Sequence, residues 1–214
     1  MGDYKTAFIR LALKHEVLKF GQFTLKSGRV SPYFFNLGNV STGAALRELA
    51  QAYAAALQAS GLAYDMLFGP AYKGIPLVAA VACALAEAGK DFPYAYNRKE
   101  AKDHGEGGLL VGAKPQGRIV IVDDVLTAGT ALRESVRLLR AAGANPVAAL
   151  IALDRQETGP TGASAVAEIE RSENLKVIAL VTVQDVLAHL QREKTDAATV
   201  ERIRDYQARY GVKT

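Results

Sequence analysis

Residues Arg118–Ala131 read RIVIVDDVLTAGTA. Ile119, Val120, Ile121 and Val122 form an apolar run with no polar alternation, which suits a strand covered on both faces in the middle of a parallel sheet. Asp123 and Asp124 stand where that strand emerges. Val125 and Leu126 lead into Thr127, Ala128, Gly129, Thr130 and Ala131, small side chains around a permissive glycine. Backbone N–H groups can therefore approach an anion at the start of the next helix. Carboxylates repel phosphate, so the acids suit sugar hydroxyls, which donate hydrogen bonds, or a metal set between protein and phosphate. A ribose phosphate satisfies both halves of the loop.

Two acids at a strand end can also simply cap the following helix. An apolar strand ending in acids occurs in nucleoside triphosphatases as well, but the companion loop ending in Gly-Lys-Ser/Thr is absent. The nearest stretch, GPAYKG from Gly69 to Gly74, continues with Ile75. Around the central segment, strands are predicted near 64–68, 93–97, 118–123, 146–153 and 176–181, separated mostly by helices near 75–89, 130–142 and 162–172. That alternation implies right-handed crossovers and an α/β fold with a mostly parallel central sheet flanked by helices. Upstream, apolar residues at helical spacing predict a helix over 3–20 stopped by Gly21. The stretch from Gln22 to Asn39 reads as a β-hairpin around Ser27 and Gly28, with Phe34 and Phe35 on its second strand. Thr42 is placed to cap a helix from about 43 to 60, and helices near 183–193 and 196–210 close the chain. The expected organisation is a single domain, 1–214: an N-terminal helix and hairpin hood (1–61), an α/β core (62–182) and C-terminal helices (183–214).

The 214 residues, 50% of them hydrophobic, are enough to bury a sizeable core. The formal net charge of +4 comes from interspersed acids and bases, as in RKEAKDH and ERIRDYQAR, and does not point to nucleic acid. Cys83 is the only cysteine and is expected to be buried within IPLVAAVACALAEAG. MGDYKTAFIRLALKHEV lacks a secretory apolar core, and no stretch reaches the roughly 20 apolar residues of a membrane span. A reducing cytoplasm is the expected setting.

In an open parallel sheet, ligands bind beyond the carboxyl ends of the strands. The segments after the predicted core strands include GPAYKG, RKEAKDHGEGG, DDVLTAGT and DRQETG, and each carries groups suited to phosphate, metal or carboxylate. Residues 98–112 contain Gly105, Gly107, Gly108 and Gly112 and show no helical or strand period. Long loops without structure in compact domains are commonly functional lids. His15 and His189, on predicted amphipathic helices, are assigned structural or exposed roles.

VDDVLTAGTA resembles the phosphoribosyl pyrophosphate (PRPP) signature of the type I phosphoribosyltransferases, and the chain as a whole is similar to the orotate branch of that family. The resemblance implies transfer of the ribosyl phosphate of PRPP to orotate, giving orotidine 5′-monophosphate and pyrophosphate in pyrimidine synthesis. It implies Mg²⁺ held mainly by PRPP and water rather than by protein ligands. It also implies a homodimer with shared sites, residues 98–112 serving as the mobile loop that reaches the neighbour's site.

Breaking the anomeric bond leaves positive character on the sugar and negative charge on pyrophosphate, so cations at the leaving group and carboxylates at the ribose are the expected machinery. By resemblance, PRPP is bound by Lys26, Tyr72, Lys73, Arg98, Lys99, Lys102, His104 and the loop Asp123, Asp124, Val125, Leu126, Thr127, Ala128, Gly129, Thr130 and Ala131. Lys73, Lys102, His104 and Asp124 are the expected catalytic residues, with Asp124 the candidate acceptor for orotate's proton. Orotate is assigned to Phe34, Phe35, Thr127 and Arg155, whose guanidinium offers two parallel donors to a carboxylate.

Each of these residues has an ordinary alternative. Lys26 and Lys73 would be solvated loop lysines, Phe34 and Phe35 core residues, and Arg155 the partner of Asp154 or Glu157. At the level of function the alternatives are a purine phosphoribosyltransferase and a non-catalytic PRPP-sensing regulator. The latter needs a DNA-binding module or a concentrated basic face, which the first sixty residues do not offer.

Overall fold

Ile119, Val120, Ile121 and Val122 are each 0% exposed in the computed structural model of the chain. The structure describes residues 3–25, 27–102, 108–126, 129–159, 162–194 and 196–212, with the backbone alone at 3, 101 and 102. In order, the elements are α1 (Asp3–Lys14), β1 (Leu18–Thr24), β2 (Val30–Phe35), α2 (Gly43–Ala59), β3 (Met66–Gly69), α3 (Gly74–Glu87), β4 (Tyr94–Lys102) and β5 (Gly108–Gly112). They continue with β6 (Arg118–Val122), α4 (Thr130–Ala141), β7 (Asn145–Asp154), α5 (Ala165–Glu173), β8 (Lys176–Thr182), α6 (Val183–Arg192) and α7 (Ala197–Tyr210).

The main sheet has strand order β5-β4-β3-β6-β7-β8, and every pairing in it is parallel except β4 with β5. Strand alternation divides the core into two layers. Leu67, Val120 and Val122 join residues of α1, α2, α3, α6 and α7 on one face. Met66, Phe68, Ile119 and Ile121 join α4 and α5 on the other. At about 1.5–3 kcal/mol for each large aliphatic side chain removed from water, both layers are major stabilising terms. The crossovers β3-α3-β4 and β6-α4-β7 travel in opposite directions from the centre of the sheet, and right-handedness sends their helices to opposite faces.

The first expected helix is shorter than its apolar spacing suggests. It ends at Lys14, Glu16 takes a left-handed φ of 53°, and Leu18 to Phe20 belong to β1. β1 and β2 form the antiparallel hairpin, with Leu18 opposite Phe35. Thr42 caps α2, its side chain accepting from the Ala45 N–H.

Two further expectations are corrected. The segment 98–112 is not a structureless loop: β4 continues to Lys102 and β5 returns from Gly108, pairing antiparallel. Lys99 and Glu100 are exposed, and the contacts of this edge hairpin with the core come from Ala95 and Leu110, too few to set a strand period. Cys83 is exposed rather than buried. The buried face of α3 is carried by Leu77, Val78, Val81, Ala82, Ala84 and Leu85, and a helix so rich in alanine conceals which face is which.

The turn between β3 and α3 depends on two glycines. A Cβ on Gly69 would overlap the Gly74 carbonyl oxygen and lie 2.6 Å from Val78 Cγ1; one on Gly74 would lie 2.5 Å from Pro70 Cδ. Gly69→Ala is expected to destabilise the protein by about 1–3 kcal/mol, the usual cost of overpacking. A chain of this length should then melt several degrees lower, and an unchanged melting temperature would show that the turn can relax.

Candidate active site

β3 and β6 are neighbours at the centre of the sheet, and the chain leaves them in opposite directions. Such a switch point opens a crevice at the carboxyl ends of its two strands. Lys73, in the turn after β3, donates from Nζ to Asp124 Oδ2 across this crevice at 2.7 Å. The two residues come from loops 51 positions apart in sequence. Lys73 is 55% exposed and Asp124 14%. An ion pair with one solvated partner is worth only about 0–1 kcal/mol, so an incoming anion can draw the lysine away at little cost.

The acid pair is shaped by its own backbone. Asp124 N–H donates to Asp123 Oδ1 at 2.8 Å, and Val125 N–H donates to Asp124 Oδ1 at 2.7 Å. Beneath them, the hydroxyl of fully buried Tyr53 on α2 donates to the Asp123 carbonyl at 2.9 Å. Burial pushes the Asp123 carboxyl up to about 7, with the Asp124 charge adding to the rise and the Asp124 N–H and Lys73 opposing it. Leu126 packs against the core layer of α4 and α5, and Val125 bridges to Leu153 of β7.

At the mouth of α4, Gly129 has φ of 74°, and a Cβ there would meet Ile169 Cδ1 at 2.7 Å. Glycine is required both by the left-handed backbone and by the space. A glycine cap offers no side-chain acceptor to the first amides of α4. Thr130 and Ala131 are exposed beside them, which leaves a helix N-terminus suited to a phosphate.

Around the Lys73 turn, Tyr72 is 67% exposed, with Lys99 Nζ 4.8 Å from its ring centre. Arg98 Nη1 reaches the Gly108 carbonyl at 3.5 Å. Asn97, which the sequence did not single out, accepts from the Ala71 N–H at 3.0 Å and so ties β4 to the Lys73 turn. Lys102 closes the described β4–β5 ladder opposite Gly108. Lys26, His104, Thr127 and Ala128 lie outside the described residues, as does the side chain of Lys102.

On the β1–β2 hairpin, the two phenylalanines diverge. Phe34 is 40% exposed and stacks on Phe23 with ring centres 5.5 Å apart. Phe35 turns inward against Phe8 of α1. Arg155 is one residue beyond β7. Its Nε donates to Glu157 Oε1 at 2.7 Å, its Nη2 to Ser31 Oγ at 3.0 Å, and its guanidinium lies 4.1 Å from the Tyr33 ring centre. The ion pair with Glu157 is thus present, although both side chains are largely buried rather than on the open surface. Ser31 and Tyr33 of β2 bring the hairpin over the rim.

Among the described residues no three His, Cys, Asp or Glu side chains come together as a metal cage. Asp124, the better placed of the two acids, already faces Lys73. The carboxylates of Asp123 and Asp124 are hard oxygen donors of the kind Mg²⁺ accepts. Among the described residues, no helix is long and apolar enough to cross a membrane.

Comparison with known proteins bears on the chain as a whole. Residues 39–174 match the family model of the phosphoribosyl transferase domain. An orotate phosphoribosyltransferase from Cellvibrio japonicus is 56% identical over 214 residues, covering 100% of both chains. Another, from Marinobacter nauticus, is 54% identical over 212 residues, covering 99% of this chain and 100% of its own. The crystal structure of the orotate phosphoribosyltransferase of Francisella tularensis matches with a TM-score of 0.87 at 43% identity, over 95% of this chain and 98% of that one.

Proposed function

The chain belongs to the phosphoribosyltransferase family, in its orotate branch, and from that premise we infer how the rim residues divide the work. The reaction is transfer of the ribosyl phosphate of PRPP to orotate, giving orotidine 5′-monophosphate and pyrophosphate for pyrimidine synthesis. The observation that carries the division of roles is the meeting of Lys73 with Asp124 at the switch point.

In the proposed complex, the 5′-phosphate of PRPP sits on the amides at the start of α4, around Gly129, Thr130 and Ala131, with Thr127 and Ala128 completing the cradle. Asp123 and Asp124 accept hydrogen bonds from the ribose hydroxyls and stabilise the positive character that develops at the anomeric carbon. Lys73 leaves Asp124 for the pyrophosphate, joined there by Tyr72, Arg98, Lys99, Lys102, His104 and Lys26. Bound Mg²⁺ supplies further positive charge against the leaving group. Orotate rests against Phe34, with the Phe35 backbone and Thr127 along its edge and Arg155 facing its carboxylate. Asp124 is the proposed acceptor for the proton that orotate's reacting nitrogen gives up.

The whole chain acts as one domain in this reading, with the hairpin hood carrying the base site and the α/β core the PRPP site. We also propose a homodimer in which the β4–β5 hairpin reaches the neighbouring site. A groove of about 730 Å³ lies beside this hairpin, lined by Pro70, Ala71, Arg98, Leu109 and Leu138 among others. Exposed Leu109 and Tyr72 add apolar surface in the same region.

A rate assay offering orotate, adenine, hypoxanthine and uracil tests the activity: turnover with orotate alone is expected, and turnover of a purine but not orotate would overturn it. The acid pair adds a pH signature. Ribose hydroxyls need an ionised Asp123, so PRPP affinity should rise with pH through about 7, and Asp123→Asn should flatten that limb. Stability runs the other way. Between the ordinary carboxylate range and about 7 the folded protein holds a proton that the unfolded chain has released, so this group's contribution is full at low pH and lost as pH rises through 7. Wild type should therefore lose melting temperature relative to Asp123→Asn between pH 5 and 8, and parallel curves for the two proteins would remove Asp123 from this role.

A further inference from the structure

Glu157 stands two residues beyond Arg155 and has no place in the chemistry so far described, yet it is among the most heavily engaged carboxylates of the site region. Its side chain is 14% exposed. Oε1 accepts from Arg155 Nε at 2.7 Å and from the Tyr33 hydroxyl at 3.4 Å. Oε2 accepts from the Tyr206 hydroxyl of α7 at 3.2 Å and lies 3.8 Å from Arg29 Nη1. Three separate parts of the fold thus converge on one carboxylate: the hairpin hood, the loop after β7 and the C-terminal helix.

The backbone of the same loop is held from α7 and the residues just after it as well. Gln207 Nε2 donates to the Arg155 carbonyl at 3.2 Å, Thr158 N–H to the Tyr210 carbonyl at 2.7 Å, and Val212 N–H to the Gln156 carbonyl at 2.8 Å. An arrangement this dense around a single guanidinium costs desolvation. A buried ion pair is often no more stabilising than apolar residues of the same volume, so stability alone is a weak reason to keep one. Orientation is a stronger reason. An arginine side chain carries about 2 kcal/mol of rotamer entropy, and fixing it before the ligand arrives removes that cost from binding.

We propose that Glu157, itself held by Tyr206 of the C-terminal helix, is a positioning residue that sets the angle at which Arg155 presents its guanidinium to the carboxylate of the base substrate. This rests on the reading of Arg155 as the orotate contact. Glu157 Oε1 holds the edge formed by Nε and Nη2, each at 2.7 Å, Ser31 Oγ accepts from Nη2, and the Tyr33 ring supports the face, so the plane of the guanidinium is determined from three sides. Tyr206 matters because a carboxylate with a second anchor cannot swing with the arginine. The C-terminal helix, remote in sequence from every PRPP-binding segment, thereby becomes part of the base site.

Steady-state kinetics of Glu157→Gln, Tyr206→Phe, Arg155→Ala and the double variant Arg155→Ala/Glu157→Gln test this. Glu157→Gln should raise KM for orotate about tenfold, equivalent to ~1.4 kcal/mol, and Tyr206→Phe a few-fold. KM for PRPP should stay at the wild-type value in both, and kcat at saturating orotate should fall far less than KM rises. In the double variant the Glu157 change should add nothing further to the orotate KM of Arg155→Ala, because it acts only through that residue. Tyr206→Phe keeps the ring and removes only the hydroxyl, so it carries the test if Glu157→Gln does not fold. Equal effects on both substrates, or full additivity in the double variant, would show a merely structural role and overturn the proposal. If Arg155→Ala itself leaves orotate KM unchanged, the fault lies instead with the assignment of Arg155.

Discussion

Lys102→Ala is expected to lower kcat about a hundredfold, equivalent to ~3 kcal/mol of transition-state stabilisation, while the melting temperature stays within a degree or two of wild type. Departing pyrophosphate gathers negative charge as the anomeric bond breaks, and a cation that meets this charge mainly in the transition state lowers the barrier rather than KM. Lys102 is carried on β4, opposite Gly108, where the edge hairpin extends past the parallel strands. A cation on such an arm can arrive after PRPP and exclude water, which would otherwise capture the activated sugar. Single-turnover measurement of orotidine 5′-monophosphate formation separates this from slow product release, and a near-normal rate constant would remove the hairpin from the chemistry. The variant also tests sharing between subunits. Mixed with inactive Asp124→Asn chains, it should recover part of the activity, since a two-fold dimer of the two variants places both lesions in one site and leaves the other intact. Verified heterodimers without recovery would confine each site to one chain.

Arg155→Ala should raise KM for orotate about a hundredfold and leave KM for PRPP near wild type. Two charge-assisted hydrogen bonds to a carboxylate, at about 1.5–3 kcal/mol each, account for a loss of this size. Arg155→Lys should recover little of it, because an ammonium cannot reproduce the planar pair of donors or lie flat against the Tyr33 ring. Removing the guanidinium also leaves Glu157 with its two tyrosines and Arg29 but without its closest cation. A modest fall in melting temperature is therefore expected alongside the kinetic loss, and isothermal binding of orotate to the PRPP-loaded variant distinguishes the two effects. Unchanged orotate affinity would return Arg155 to the plain role of an ion-pair partner.

Much of this site was legible because its parts announce themselves locally. The unbroken Ile119–Val122 run is buried on both faces, as its lack of alternation requires. Gly129 occupies a backbone position at the mouth of α4 that excludes a side chain. Where the pattern misled, the cause was physical. The β4–β5 hairpin projects from the sheet edge, so its charged residues need no apolar alternation. Val17 and Leu18 continue the apolar pattern of α1 although the helix has already ended at Lys14. Cys83 sits among alanines that mark neither face. Tyr53 and Asn97 carried no signal at all, since a tyrosine in a helix and an asparagine in a strand are each unexceptional until their partners are known, and Glu157 was legible only as an alternative partner for Arg155.

Sequence alone determined the succession of the parallel strands and of the helices, the acid pair at the end of β6 and the glycine at the start of α4, because periodicity and left-handed backbone are properties of a few adjacent residues. Tertiary structure alone decided that Lys73 meets Asp124 across 51 positions and that Arg155 reaches Ser31 across 124. Those encounters follow from which strands lie side by side and which way each crossover turns. Strand order is fixed by packing two helical layers on a twisted sheet, a balance struck by the whole chain at once.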